Sequence, residues 1–178
     1  MEESHAYSIN TEIDANQTAL LSKVNGATIT KMSFEEVGEF VLSVLIESTT
    51  VNLLIINNPV EEADEDEYPK FEIKSVNDQP QNLEEEVMVK IVEGVEVIRD
   101  KITWQNDNLN WDVRSDIAIK IKFKEEQICL IAHDSLAGFI KKEFIKSEDR
   151  KEEDLLLDQF WSMKTDLPQS HERERIMV

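Results

Sequence analysis

The sequence predicts a β-rich α+β fold: two related antiparallel β-meanders, as one extended sheet or two packed sheets, with one or two C-terminal helices on a sheet face. Three observations carry this expectation. Residues 117–133 read as a β-hairpin, and residues 40–56 read as a second, more apolar hairpin. Helical spacing of apolar residues appears clearly only after residue 135.

In the 117–133 stretch, Ile117, Ile119, Ile121 and Phe123 alternate with Ala118, Lys120, Lys122 and Lys124. A period of two places the apolar set on one face of a pleated strand, and the lysines are expected on the wet face. Glu125, Glu126 and Gln127 form a polar reversal of hairpin length, and Ile128–Ala132 returns as a more evenly apolar strand. Cys129 lies within it and is expected to act as a small core residue.

Residues 1–16 are polar and read as a loose or pinned extension. Asn25-Gly26 marks a turn. Thr28–Phe34 fits a strand, while Ser33-Phe34-Glu35-Glu36 also matches a capping box, so 34–42 is open between strand and helix. Phe40–Ile46 and Val51–Ile56 flank Ser48-Thr49-Thr50, and Asn57-Asn58-Pro59 ends the second strand. Tyr68–Val76 alternates again. Asn77–Pro80 reads as a linker. Val87–Val92, Val95–Trp104 and Leu109–Val113 are further strand-like runs. Seven to nine strands are expected in all.

Ser135 then suits a helix cap, with Leu136, Phe139, Ile140 and Phe144 as its stripe. Ser147 suits a second cap, with Leu155, Leu156, Phe160 and Met163 as the apolar face, Trp161 alongside and Pro168 at the end. The resulting division is an N-terminal extension (1–18), a first β module (19–78), a second β module (83–134), C-terminal helices (135–167) and a frayed tail (168–178). A single compact domain over 19–167 is the alternative.

The formal net charge is −19 over 178 residues. It is unevenly spread: residues 1–80 hold 4 Lys and no Arg against 16 acids, a net of −12. Such a surface opposes nucleic-acid binding, which needs positive charge, and favours a basic protein partner. The lone Cys excludes an internal disulfide and a Cys-based zinc site. No Gly-x-Gly phosphate loop occurs, and no cofactor, metal or catalytic motif is found. His133-Asp134-Ser135 holds the letters of a triad, yet adjacent residues cannot form that relay. The acidic start carries no secretory signal, and apolar runs fall short of the ~18 residues a membrane span needs. A cytoplasmic protein, not an enzyme, is the expectation.

The two halves resemble each other. Leu21–Ile29 aligns with Val89–Val97 at an offset of 68, with Val24/Val92 and Gly26/Gly94 identical, and each stretch precedes a hairpin. This order of apolar strand, Gly, strand, polar gap and hairpin, written twice over residues 20–133, resembles that of small bacterial immunity proteins encoded beside polymorphic toxins. The resemblance is one of pattern and transfers no functional residue. It implies an inhibitor that occludes a basic toxin or enzyme. The candidate contact residues come from the sequence itself. Glu61–Glu67 holds six acids in seven positions, so Asp64, Glu65, Asp66 and Glu67 are the candidate anionic contacts, with Tyr68 and Trp111 as candidate apolar anchors. A solvated loop is the plainer reading of the same block. A symmetric homo-oligomer built on the apolar 40–56 hairpin is the alternative function.

Overall fold

Runs of β-branched and aromatic residues at period two become strands, and nonlocal pairing decides the rest. The computed structural model describes residues 5–77, 83–133, 137–146, 150–165 and 168–178. Strand β1 (His5–Thr11) and helix α1 (Ala15–Ser22) open the chain. Then come β2 (Thr28–Val37), β3 (Phe40–Ser48), β4 (Asn52–Asn57), the short pair β5 (Val60–Glu61) and β6 (Glu67–Tyr68), β7 (Phe71–Ser75) and β8 (Glu84–Ile91). The second half supplies β9 (Gly94–Asn106), β10 (Leu109–Lys122), β11 (Glu126–Ala132) and β12 (Ile140–Lys146). Helix α2 (Arg150–Asp158), a 3-10 turn (Phe160–Met163) and β13 (Pro168–Met177) complete it.

Among the described residues, ten of the eleven strands of the main sheet fall into two units of the same design, and β1 adds to β10 as the eleventh. The first has the order β8-β2-β3-β4-β7, and the second has β13-β9-β10-β11-β12. Each is a four-strand antiparallel meander whose fifth strand returns to lie beside the first. The hydrogen-bond path runs from one unit to the other through the pair Ile140–Val41. The aligned sequence stretches are neighbours in space: the Gly26 N–H donates to the Val92 carbonyl, and the Val92 N–H donates to that of Ala27. The two glycines differ in use. Gly26 takes φ +72, a left-handed conformation that a side chain disfavours, whereas Gly94 lies against the Met177 side chain.

The units share an inner core. Ile29, Met32, Phe34, Val44, Ile46 and Ile55 from the first meet Val95, Val97, Ile119, Ile121, Ile128 and Leu130 from the second. The outer face of the second unit is also buried. There Ile98, Ile102, Val113, Cys129 and Ile145 pack under Leu157 and Trp161 of the C-terminal segment. The result is sheet, core, sheet, second core and helix.

Helix α1 closes the side of the inner core. Asp14 caps it by accepting from the Gln17 N–H at 2.8 Å, and Leu21 is fully buried. Asn57 ties two loops together: its amide donates to the carbonyls of His133 and Phe139 (2.6 and 3.0 Å), and its oxygen accepts from the Lys70 N–H. Gly138, at φ +66, sits so close that an added Cβ would lie 2.3 Å from the Asn57 carbonyl oxygen.

Both expected hairpins form: residues 118–122 pair with 127–131, and 43–47 with 52–56. Residues 34–42 are strand and turn, with Gly38 at φ +63 between β2 and β3. Among the described residues thirteen strands replace the expected seven to nine, as segments read as extension, helix and tail also form strands.

Several expectations are corrected. Lys120 is not on a wet face; it is 4% exposed beneath α2. The first expected helix is β12, since β11 needs a partner along its outer edge and residues 140–146 supply it. Ser135 and Ser147, the expected caps, lie outside the described residues. Among the described side chains of α2, Glu153 and Leu157 are buried, followed by Trp161, while Leu155 is 66% exposed. The N-terminal stretch is pinned as β1, parallel to β10, with the Ile13 N–H donating to buried Asp116. The tail is strand β13 along β9, opening on Pro168, a position where a missing donor is tolerated. The 40–56 hairpin is interior to its sheet, with both edges paired, to β2 and to β7.

Candidate functional site

The acid block is an ordered hairpin. Val60 and Glu61 pair with Tyr68 and Glu67, and the turn is closed by the Glu62 N–H on the Asp66 carbonyl and the Glu65 N–H on that of Glu62. Glu65 sits at the tip with φ 62. The Asp66 and Glu67 N–H groups donate to the carboxylates of Asp64 and Asp66, the local side-chain bonding that Asp favours in turns.

Long-range bonds then fix the hairpin on the protein. Asp64 Oδ2 accepts from the Tyr68 hydroxyl at 2.7 Å and from the Trp111 indole N–H at 2.9 Å. Asp66 accepts from Lys164 at 2.9 Å, and that ammonium lies 4.3 Å from the centre of the Tyr68 ring. Burial, with Asp64 next, pushes the Tyr68 hydroxyl pKa well up, so it remains a donor at any ordinary pH. Behind it the rings follow in series: Tyr7 lies tilted by 33° against Trp111 at 5.4 Å, and Trp111 stacks nearly parallel on Trp104 at 5.2 Å.

The candidate residues are therefore brought together, in different roles from those expected. Asp64, Tyr68 and Trp111 form one hydrogen-bonded group, and Lys164 brackets Asp66. Tyr68 is fully buried and serves as a brace, not an exposed anchor, because its ring is needed to seat the hairpin. Trp111 is half-buried. Glu65 and Asp66 are exposed with Glu61, while Glu67 is half-buried opposite it.

A second polar assembly lies between α2 and the second unit. Lys120 meets Glu96 at 2.9 Å and both Glu153 oxygens at 3.0 Å. Gln127 donates to Glu153, Lys122 to Glu96, and Arg175 joins both carboxylates. Nearby, fully buried Asp100 accepts from the Trp161 indole at 2.8 Å and from Arg173 at 2.8 and 2.9 Å, with His171 at 2.9 Å. Burial alone would raise the Glu96 pKa; hydrogen bonds from Lys122 and Lys120 outweigh it and hold the group at about 2. Glu153 is lowered in the same way, against burial, by Arg175 and Lys120. Burial pushes the Cys129 thiol up to about 12, which leaves it unreactive.

This assembly was missed from sequence, although one signal was present: His171, Arg173 and Arg175 stand at period two in the final strand, matching Glu96 and Asp100 on β9. Its charges are mutually paired, so it acts as a clamp between helix and sheet. Among the described residues no group of three or more His, Cys, Asp or Glu is placed to hold a metal ion, and no helix is long and apolar enough to cross a membrane. His133 of the His-Asp-Ser run has its ring edge-on to Phe40; Asp134 and Ser135 lie outside the described residues.

No protein-family model matches the chain, and comparisons with curated proteins and with solved structures find no match either.

Proposed function

We propose that this is a cytoplasmic binding protein of the inhibitor or immunity type, which blocks a basic toxin or enzyme with the 60–68 hairpin. The observation that carries the reading is the bracing of that hairpin by Tyr68, Trp111 and Lys164. A solvated acid loop would fluctuate to spread its charges apart. Here Glu61 and Glu67 are held opposite each other on paired strands, an arrangement that like charges disfavour. Bonds to Asp64 and Asp66 offset that repulsion and leave Glu61, Glu65 and Asp66 outward. A cation approaching this surface relieves the repulsion, and the rigid loop loses little entropy on binding. The net of −12 in residues 1–80 adds long-range steering toward a positively charged partner.

The test is capture followed by inhibition. The immobilised chain is exposed to extract from its own host at 50 mM salt, and the retained protein is identified and assayed for nuclease or other toxin activity. The expected partner has a net positive charge and is inhibited by the free chain. Charge reversal at Glu61 and Glu65 is expected to abolish both capture and inhibition. Retention of a partner that ignores the reversal, or whose activity is untouched, excludes this reading.

A further inference from the structure

β8 is the outermost strand of the first unit. It pairs with β2 on one side, and among the described residues no strand lies on the other. Its inward Met88 is buried, whereas outward Val87, Val89 and Ile91 are 80%, 78% and 63% exposed. Unpaired strand edges are normally protected by charge or cover, and β7, β13 and β12 follow that rule. Along β7, Gln17 of α1 accepts the Ile73 N–H at 2.7 Å. β13 presents His171-Glu172-Arg173-Glu174-Arg175, and β12 presents Lys141, Lys142, Glu143 and Lys146. In the second unit, α2 lies in the link between fourth and fifth strands and covers the outer face. The equivalent link in the first unit spans only residues 76–83.

The charges of β8 are ordered along it: Glu84, Glu85 and Glu86 at the start, Lys90 near the end. Such a gradient is self-complementary in an antiparallel pair. A two-fold axis normal to the sheet keeps outward residues opposite outward ones, so the pair is centred on a residue. We propose that β8 pairs antiparallel with β8 of a second copy of the chain, across a two-fold axis at Met88. In this register Val87 lies opposite Val89 and Glu86 opposite Lys90, each twice by symmetry. A cleft of about 460 Å³ lies beside the strand, lined by Val89, Ile91 and Phe123 and by both signs of charge, with Lys90 and Lys124 beside Glu93, Glu125 and Glu126. The two five-stranded units become one ten-stranded sheet. This surface adjoins the Phe123 end of β10, whereas the acidic hairpin sits at the Trp111 end, so the two interactions are independent.

Sedimentation equilibrium on the full chain tests the proposal. The expected mass is twice the 20.6 kDa of one chain at micromolar concentration. Val89→Lys is expected to weaken the dimer by about 30-fold or more, as for a central interface residue, while leaving the circular dichroism spectrum of the folded chain intact because the side chain is exposed. Glu86→Lys and Lys90→Glu are each expected to weaken it, and the double variant to recover most of the loss. A chain that stays monomeric at every concentration overturns the proposal. So does a dimer indifferent to Val89→Lys.

Discussion

Lys120 is the residue on which the C-terminal half turns. It sits with Glu96 and Glu153 under α2, and removing this buried cation breaks both pairs and leaves the two carboxylates to Lys122 and Arg175 alone. Lys120→Met is expected to destabilise the fold by about 3–5 kcal/mol, measured as a shift in urea midpoint. The pH dependence has a definite sign. Glu96 is held at about 2, below its unfolded value, so its contribution is present above about pH 4.5 and is lost as pH falls toward 2. Urea melts between pH 6 and 2 are expected to show that loss, and Glu96→Gln to flatten it. Gly138→Ala is expected to cost at least ~1 kcal/mol, since the new methyl meets the Asn57 carbonyl and φ is positive. The sequence pattern correctly aligned Lys120 with Lys122 on one strand face. It gave no view of what covers that face, because Glu153 and Arg175 arrive from more than thirty residues away.

At the level of elements, β12 and β13 show where local reading stops. The apolar spacing of residues 136–144 fits a helix as well as it fits anything, and only the open edge of β11 selects strand. Residues 168–178 are polar enough to look frayed, yet their alternate cations pair with buried acids of β9 while Ile176 packs on the inner core. Deleting residues 168–178 is therefore expected to leave Asp100 and Glu96 under-compensated and to abolish cooperative unfolding, followed by tryptophan fluorescence in urea. Survival of a sharp transition would show that β13 is dispensable. The hairpins, in contrast, were legible from residue alternation, because each strand meets its neighbour within a few residues of turn. The two units share a strand order, but their bounds differ from the modules read in the sequence: β8, read as part of the second module, pairs with β2 of the first unit, and the aligned Leu21 and Val89 lie in a helix and a strand.

For the whole molecule, a charge of −19 sets two interactions in opposition. Two copies repel over distances that salt screens, so the β8 dimer is expected to tighten between 20 and 150 mM NaCl. A basic partner at the 60–68 hairpin is drawn by the same field and is expected to bind more weakly over that range. The acid block itself was legible as a candidate site, since its composition is local. Its bracing was not, because Trp111 and Lys164 reach it from the start of β10 and the end of the C-terminal segment. The most direct measurement is the dissociation constant between the chain and the basic protein it retains, at 50 and 500 mM NaCl, for the wild type and for Glu61→Lys/Glu65→Lys. The account predicts at least tenfold weaker binding from either the salt or the double reversal, roughly 1.4 kcal/mol. A dissociation constant unchanged by both would contradict it.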